Sequence, residues 1–169
     1  MAVTQDMISS WRHPRIVMRR LLNAGRREDR ALAVLMAGCF VIFIAQWPRL
    51  SRIAAGFGVA PGNETPELSQ LVAYEFVSWM MVWPLAFYLL AAIFHLIAKA
   101  FGGKGSFFSA RYALFWALLS TTPIALLYGL CTGLLGPVAS TQIVGAIWIA
   151  AFGILLGANL IEAENPAEG

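Results

Sequence analysis

The feature that most constrains this chain is an uncharged stretch of fifty residues, from Tyr112 to Ile161, without any Asp, Glu, Lys or Arg. Over all 169 residues, 59% are hydrophobic and only 12% are charged, whereas soluble domains carry about a quarter charged residues. A helical crossing of a bilayer needs about 20 predominantly apolar residues. The sequence therefore predicts an all-α, polytopic membrane protein with no room for a water-soluble domain.

Four apolar runs are long enough to cross the membrane, and they predict a four-helix transmembrane bundle. The predicted spans cover residues 31–48, 68–98, 112–133 and 138–161. The second is longer than a perpendicular crossing requires, and Pro84 predicts a kink within it because proline removes a backbone donor. Pro123 interrupts the third span after a run of hydroxyl residues, which can satisfy the carbonyl that this proline leaves free.

Basic residues predict the orientation of the chain. Seven arginines precede the first span, whereas the loop after it contains only Arg49 and Arg52. Because Lys and Arg favour the cytoplasmic side, the amino terminus is predicted to be cytoplasmic, and four crossings return the carboxyl terminus to that side. The predicted domains are a basic arm (1–30), a transmembrane domain (31–161) and an acidic tail (162–169). The predominance of Arg over Lys and the abundance of Ala favour a bacterial protein of the cytoplasmic (inner) membrane.

The arm from Gln5 to Asn23 has the pattern of an amphipathic helix. Val17, Met18 and Leu21 recur at helical spacing, and Pro14 suits a first helical turn. The favoured interpretation is an N-terminal amphipathic interfacial helix, and the alternative is a helix docked on a partner. Anionic lipid head groups are preferred over nucleic acid as the ligand of the basic residues. The predicted membrane-surface residues are Trp11, Arg15, Arg19, Arg20, Arg26, Arg27, Lys99 and Lys104.

Two ionisable residues lie within the predicted second span. Glu75 is the only acidic residue inside any predicted span, and it is expected either at the outer interface or, as the alternative, paired with Arg49 or Arg52. His95 is expected as an interfacial polar group near the cytoplasmic end rather than as a ligand. The twenty residues between them correspond to about 30 Å of helix, so they cannot form one proton relay.

Small residues recur at multiples of four in the third and fourth predicted spans. Such faces let helix backbones approach closely in lipid. Packing within the bundle is the favoured use, with the remaining surface available to another subunit. The predicted packing or partner residues are Gly129, Gly133, Gly145, Gly153 and Gly157.

The chain contains no motif that indicates an enzyme. The segment from Gly102 to Ser106 has the sequence GGKGS, which lacks the Walker A spacing and lies between predicted helices rather than after a strand. Cys39 and Cys131 are isolated and predict neither a disulfide framework nor a metal site. We therefore predict a protein that is not an enzyme and has no cofactor, no metal site and no catalytic residue.

The chain resembles the Yip family (Ypt-interacting protein, Yip-one domain type). The resemblance rests on the turn FGGKGSFF, residues 101–108, on Pro123 in the Tyr-containing span after it, and on the segments GRREDRAL, residues 25–32, and AQWPRL, residues 45–50. It extends from about Pro14 to Leu160. It implies a non-enzymatic multispanning protein, since eukaryotic relatives associate with Rab GTPases and help organise membrane traffic. The family usually has five spans, so its topology is not transferred to the four predicted here.

Two hypotheses for the function follow. The preferred one is a membrane scaffold or interaction protein that binds other integral membrane proteins, and a related version makes it an accessory subunit of a larger bioenergetic membrane complex. The alternative is a small transporter or channel in which Glu75, Gln46 and the kinks at Pro84 and Pro123 line a path. Transporters usually have internal repeats and several intramembrane polar groups, and neither is evident in this sequence.

Overall fold

A computed structural model describes residues 3–58 and 64–165 of the chain. All regular structure within these residues is helical, which confirms the predicted fold class. A π-helical turn, Ser78–Val82, joins the helix Leu68–Val77 to the helix Trp83–Ala100. The α-helices are α1 (Val3–Arg12), α2 (Pro14–Asn23), α3 (Glu28–Ala54), α4 (Leu68–Val77), α5 (Trp83–Ala100), α6 (Phe107–Leu135) and α7 (Ala139–Glu164).

Four helical segments of the described chain are long and apolar enough to cross a membrane, as predicted. They are Glu28–Ala54, Leu68–Ala100, Phe107–Leu135 and Ala139–Glu164. Each extends beyond the predicted limit at one end or at both, because helices continue through polar residues where the hydrophobic signal has already ended. The largest difference is in α3, which continues through Pro48 and carries Arg49 and Arg52, both predicted in a loop, on its last two turns.

The core of the bundle is α6. It packs mainly against α3 and α7 and also contacts α5 and α1. Within an apolar stretch of 18 residues in α6, 61% of the residues are buried, whereas the corresponding fraction is 22% in the α4–α5 span and in α7. Tyr112, Phe115 and Trp116 of α6 are among the largest fully buried side chains. The α4–α5 span and α7 therefore leave most of their surface outside the bundle.

The expected disturbance at Pro84 takes the form of the π-helical turn. The backbone N–H of Trp83 donates to the carbonyl of Ser78, five residues earlier, and Pro84 directly after it has no N–H to donate. Wider turns of this kind are rare and occur mostly as single turns inside α-helices, where they are one recognised cause of a kink. Trp79 and Trp83 stack across it with ring centroids 5.1 Å apart.

The hydroxyl compensation predicted at Pro123 is present. The Thr122 hydroxyl donates to the carbonyl of Leu119 at 2.8 Å, and this is the carbonyl that an N–H at position 123 would otherwise bind. Helix α6 thus continues through the proline to Leu135. Pro123 itself is exposed on the outer surface.

The amino-terminal arm differs from the prediction of a single helix. It forms α1 and α2, separated at His13, whose backbone (φ −138°, ψ 64°) is not helical, because the residue before a proline is disfavoured in the α conformation. Val17, Met18 and Leu21 of α2 join the hydrophobic core. Helix α2 packs on α7, and α1 packs on α6. The apolar face of α2, predicted to contact lipid, is therefore covered by the protein itself.

The predicted acidic tail also differs. Helix α7 continues to Glu164, and its last three residues are buried, so the first part of the 162–169 segment belongs to the bundle. Residues 166–169 lie outside the described residues. Helix α2, the end of α7 and the turn 101–106 lie together at one end of the bundle, and we call this end the amino-terminal face. The end with the last turns of α3 and α6 and the start of α7 is the opposite face.

Candidate functional site

A buried histidine–glutamate pair lies at the amino-terminal face. The Nδ1 atom of His95 is 2.7 Å from Oε1 of Glu164, and the two side chains are 3% and 4% exposed. The other carboxylate oxygen accepts the backbone N–H of Gly105 at 3.2 Å. The N–H of Lys104 donates to the main-chain carbonyl of Glu164 at 2.7 Å. His95 is thus a buried partner of the last helix rather than an interfacial group.

Glycines in the turn 101–106 let it close over the end of α7. A Cβ atom on Gly105 would lie 2.5 Å from the carbonyl oxygen of Ala163, and one on Gly103 would lie 2.9 Å from the Glu164 carboxylate. Gly102 has a φ of +89°, which side chains disfavour. The GGKGS segment is therefore a structural clasp, and Ser106 begins α6 with a capping box completed by Ser109.

The predicted membrane-surface residues have different environments. Arg19 binds Glu162 at 2.6 Å, which raises the pKa of the Arg19 guanidinium. Arg20 pairs with Asp6, and Arg27 pairs with Asp29 at 2.9 Å. These three arginines remain at least 46% exposed. Exposed side chains are also found at Trp11, Arg15, Arg26, Lys99 and Lys104.

Trp11 has a further contact that the sequence did not suggest. Its Nε1 donates to the carbonyl of Ser120 in α6 at 3.2 Å, while 44% of the residue stays exposed. Beside it, Nε1 of Trp116 donates to the hydroxyl of Ser10 at 2.8 Å. Helix α1 thus covers a polar strip on the central helix.

Glu75 lies towards the opposite face. It pairs with Arg49, and the Nε of Arg49 also donates to Oε1 of Gln46 at 3.1 Å. The side chain of Glu75 is 23% exposed. Glu75 is therefore both paired with Arg49 and partly accessible from outside the bundle. Among the residues named for a transport path, Gln46 and Glu75 meet through Arg49, whereas Pro123 is exposed on the outer surface.

The five predicted packing glycines have two different environments. A Cβ on Gly129 would overlap the carbonyl oxygen of Ala45, and one on Gly133 would overlap the ring of Pro48, so α6 and α3 are in close backbone contact. A Cβ on Gly145 would likewise be too close, 2.8 Å from Cε2 of the Tyr128 ring. Gly153 and Gly157 have nothing within 4 Å. Periodicity alone could not separate these groups, because all five satisfy the same spacing.

Within the described residues, no group of three or more His, Cys, Asp or Glu side chains could hold a metal ion. The arrangement of apolar helices defines a multi-pass helical membrane protein. The family model of the Yip1 domain matches residues 8–166. The chain therefore belongs to the Yip1 domain family. No curated protein and no solved structure matches it significantly.

Proposed function

We propose that this protein is a non-enzymatic membrane scaffold that binds a transmembrane helix of another protein along the exposed face of α7. The single observation that carries the proposal is the open environment of Gly153 and Gly157, where an added Cβ atom would have no neighbouring atom within 4 Å outside its own stretch of helix. In lipid, helices associate through close packing of small residues rather than through a hydrophobic force.

The two glycines continue a longer smooth stripe. Ala146 and Ala150 are also exposed, and at 100° per residue they project within about 60° of Gly153 and Gly157. We call these four residues the α7 stripe. A neighbouring helix could approach the backbone of α7 along roughly three turns, which is the contact that small-xxx-small faces make.

The residues beside the α7 stripe favour a protein partner. They are β-branched isoleucines with 49% to 72% of their surface exposed. Because β-branched side chains already have one preferred χ1 rotamer in a helix, they lose little freedom when another helix packs on them. These isoleucines are Ile143, Ile147, Ile154 and Ile161.

The proposal includes the location of the protein. The amino-terminal face, which has most of the basic residues, is placed in the cytoplasm, with its exposed cations beside anionic lipid head groups. The membrane is the inner membrane of a bacterium. A scaffold of this kind also suits an accessory subunit of a larger bioenergetic complex, whose function would reside in the partner.

The test compares two variants in the native membrane. Gly153→Ile with Gly157→Ile fills the α7 stripe with bulky side chains, and the Cβ atom at either position would have no neighbouring atom within 4 Å outside its own stretch of helix. Ala86→Ile adds the same kind of bulk on the exposed surface of α5 and is the matched control. After extraction in mild detergent, the mass of the complex and its stoichiometry are measured for each protein.

We expect a stoichiometric heteromeric complex from the wild type and from Ala86→Ile, and its loss from the doubly substituted protein. A complex that survives the Gly153 and Gly157 substitutions would contradict the use of the α7 stripe. A wild-type protein that is alone, or associated only with its own copies, would contradict the scaffold function and make the transport alternative the next to test, by a flux assay of Glu75→Gln in liposomes.

A further inference from the structure

A second feature, independent of the α7 stripe, is a cavity of about 420 Å³ at the opposite face. It lies between the end of α3, the end of α6 and the start of α7. Arg52 and Arg49 line it together with Tyr128 and Thr141, and no described carboxylate belongs to its lining. Its volume is within the range of small-ligand sites, about 300–1,000 Å³.

Arg52 is a half-buried cation without a counter-charge in the described part of the chain. Its Nη1 is 3.5 Å and 3.4 Å from the carbonyls of Gly133 and Leu134, and its guanidinium lies over the ring of Phe57 at 4.7 Å. By contrast, Arg49 is paired with Glu75. A cation that is partly removed from water is costly unless an anion compensates it.

Two further groups at the cavity favour an anion. Thr141 is 2% exposed, lines the cavity, and its hydroxyl has no hydrogen-bond partner among the described residues, although buried hydroxyls are normally bonded. Thr141 also belongs to the first turn of α7, where Val138 at the N-cap provides no side-chain bond. The uncapped amides and the dipole of a helix start attract negative charge.

The remaining lining is apolar, and it includes Ile53, Phe57 and Pro137. A free inorganic anion would gain nothing from these side chains, whereas the glycerol and upper acyl region of a lipid would pack on them. Arg52 lies two residues before the end of α3, at the level where a membrane-spanning helix reaches the phosphates of the bilayer. The charge and the lining together specify an amphiphile.

We propose that this cavity binds the phosphate of an anionic phospholipid from the leaflet at the opposite face. Arg52 compensates the phosphate charge, the hydroxyl of Thr141 donates to a phosphate oxygen, and the start of α7 adds the field of its dipole. This site is distinct from the basic surface at the amino-terminal face, which lies at the other end of the same helices.

The test uses the full chain purified in detergent and native mass spectrometry with short-chain phosphatidylglycerol. Short-chain phosphatidylcholine, which has the phosphate but no net charge, and inorganic phosphate are the comparison ligands. Arg52→Gln removes the cation, and Thr141→Val removes only the hydroxyl while keeping the shape and breaking no hydrogen bond of the chain. Arg15→Gln, which changes an exposed arginine of α2 outside the cavity, is the control.

We expect one phosphatidylglycerol molecule to bind with higher affinity than phosphatidylcholine or inorganic phosphate. Each cavity variant should weaken this binding about tenfold, which corresponds to about 1.4 kcal/mol, because it removes a hydrogen bond to a charged group. Arg15→Gln should leave this affinity unchanged. A photoreactive phosphatidylglycerol should label peptides containing Phe57 or Tyr128.

Three results would overturn the proposal. Equal affinity in the wild type and both cavity variants would remove the site. Labelling confined to residues 3–30 would assign the lipid to the amino-terminal face. Displacement by inorganic phosphate alone, at concentrations similar to those of the lipid, would make free phosphate the ligand and refute the lipid as its source.

Discussion

Glu164 satisfies both carboxylate oxygens inside the protein, one on His95 and one on the N–H of Gly105. Sequence reasoning placed this residue in a solvated tail, because an acidic residue after an apolar run is usually outside the membrane. The partner that retains it is 69 positions away, and no local pattern identifies such a pair. Burial of His95 was missed for the same reason.

Glu164→Ala is expected to lower the free energy of unfolding by about 1–3 kcal/mol, because it leaves a buried imidazole and a backbone N–H without partners. The matched control is Glu28→Ala. The Glu28 side chain pairs with Arg111 but is 59% exposed, so its loss should change the free energy of unfolding by less than about 1 kcal/mol. Unfolding in mixed micelles with rising SDS fraction measures both. A similar loss of stability in the two variants would contradict a structural role for the buried bonds of Glu164 to His95 and Gly105.

The glycines give a second prediction at the residue scale. Gly129→Ala should destabilise the bundle by about 1–3 kcal/mol, because the new methyl group overlaps the Ala45 carbonyl and pushes α3 from α6. Gly153→Ala should be neutral or slightly stabilising, because nothing lies within 4 Å and alanine favours the helix. The same SDS titration distinguishes them, and an equal loss at both positions would refute the assignment of these two faces.

At the scale of the helices, hydropathy was sufficient for the four spans but not for their ends or for α1 and α2. An apolar run identifies the part of a helix in hydrocarbon, while Arg49 and Arg52 at the end of α3 continue the helix without contributing to that signal. The periodicity of the arm showed that one side of α2 would be covered. It contained no information on whether lipid or the bundle covers it, because both are apolar.

Docking of α2 can be measured by proteolysis. Met18 is fully buried, and Ile16 is 67% exposed on the same helix. Met18→Ala should cost about 2–5 kcal/mol of packing and so raise the population of undocked helix by tenfold or more. Trypsin should then cleave after Arg19 or Arg20 correspondingly faster.

Ile16→Ala is the control for this experiment and should leave the cleavage rate within about twofold, since surface substitutions usually have small effects. Equal rates in the wild type and Met18→Ala would mean that the arm is not held on the bundle.

At the scale of the whole molecule, four crossings would place both ends of the described chain on one side of the membrane. Single cysteines at Asn23 and Asn165 should react with an impermeant maleimide from the same side of sealed vesicles, and a cysteine at Glu64 from the other. The background needs Cys131→Ala because Cys131 is only half-buried, while Cys39 is buried. Labelling of positions 23 and 165 from different sides would require an odd number of crossings.

The docking of α2 on α7 has a consequence for the synthesis and membrane insertion of the protein. Arg19 binds Glu162, 143 positions later, so the surface that receives α2 is the last part of the bundle to leave the ribosome. Until α7 has been inserted, the apolar side of α2 lacks its cover. A chain truncated before α7 therefore exposes an amphipathic helix, and only a chain that includes α7 can bury it.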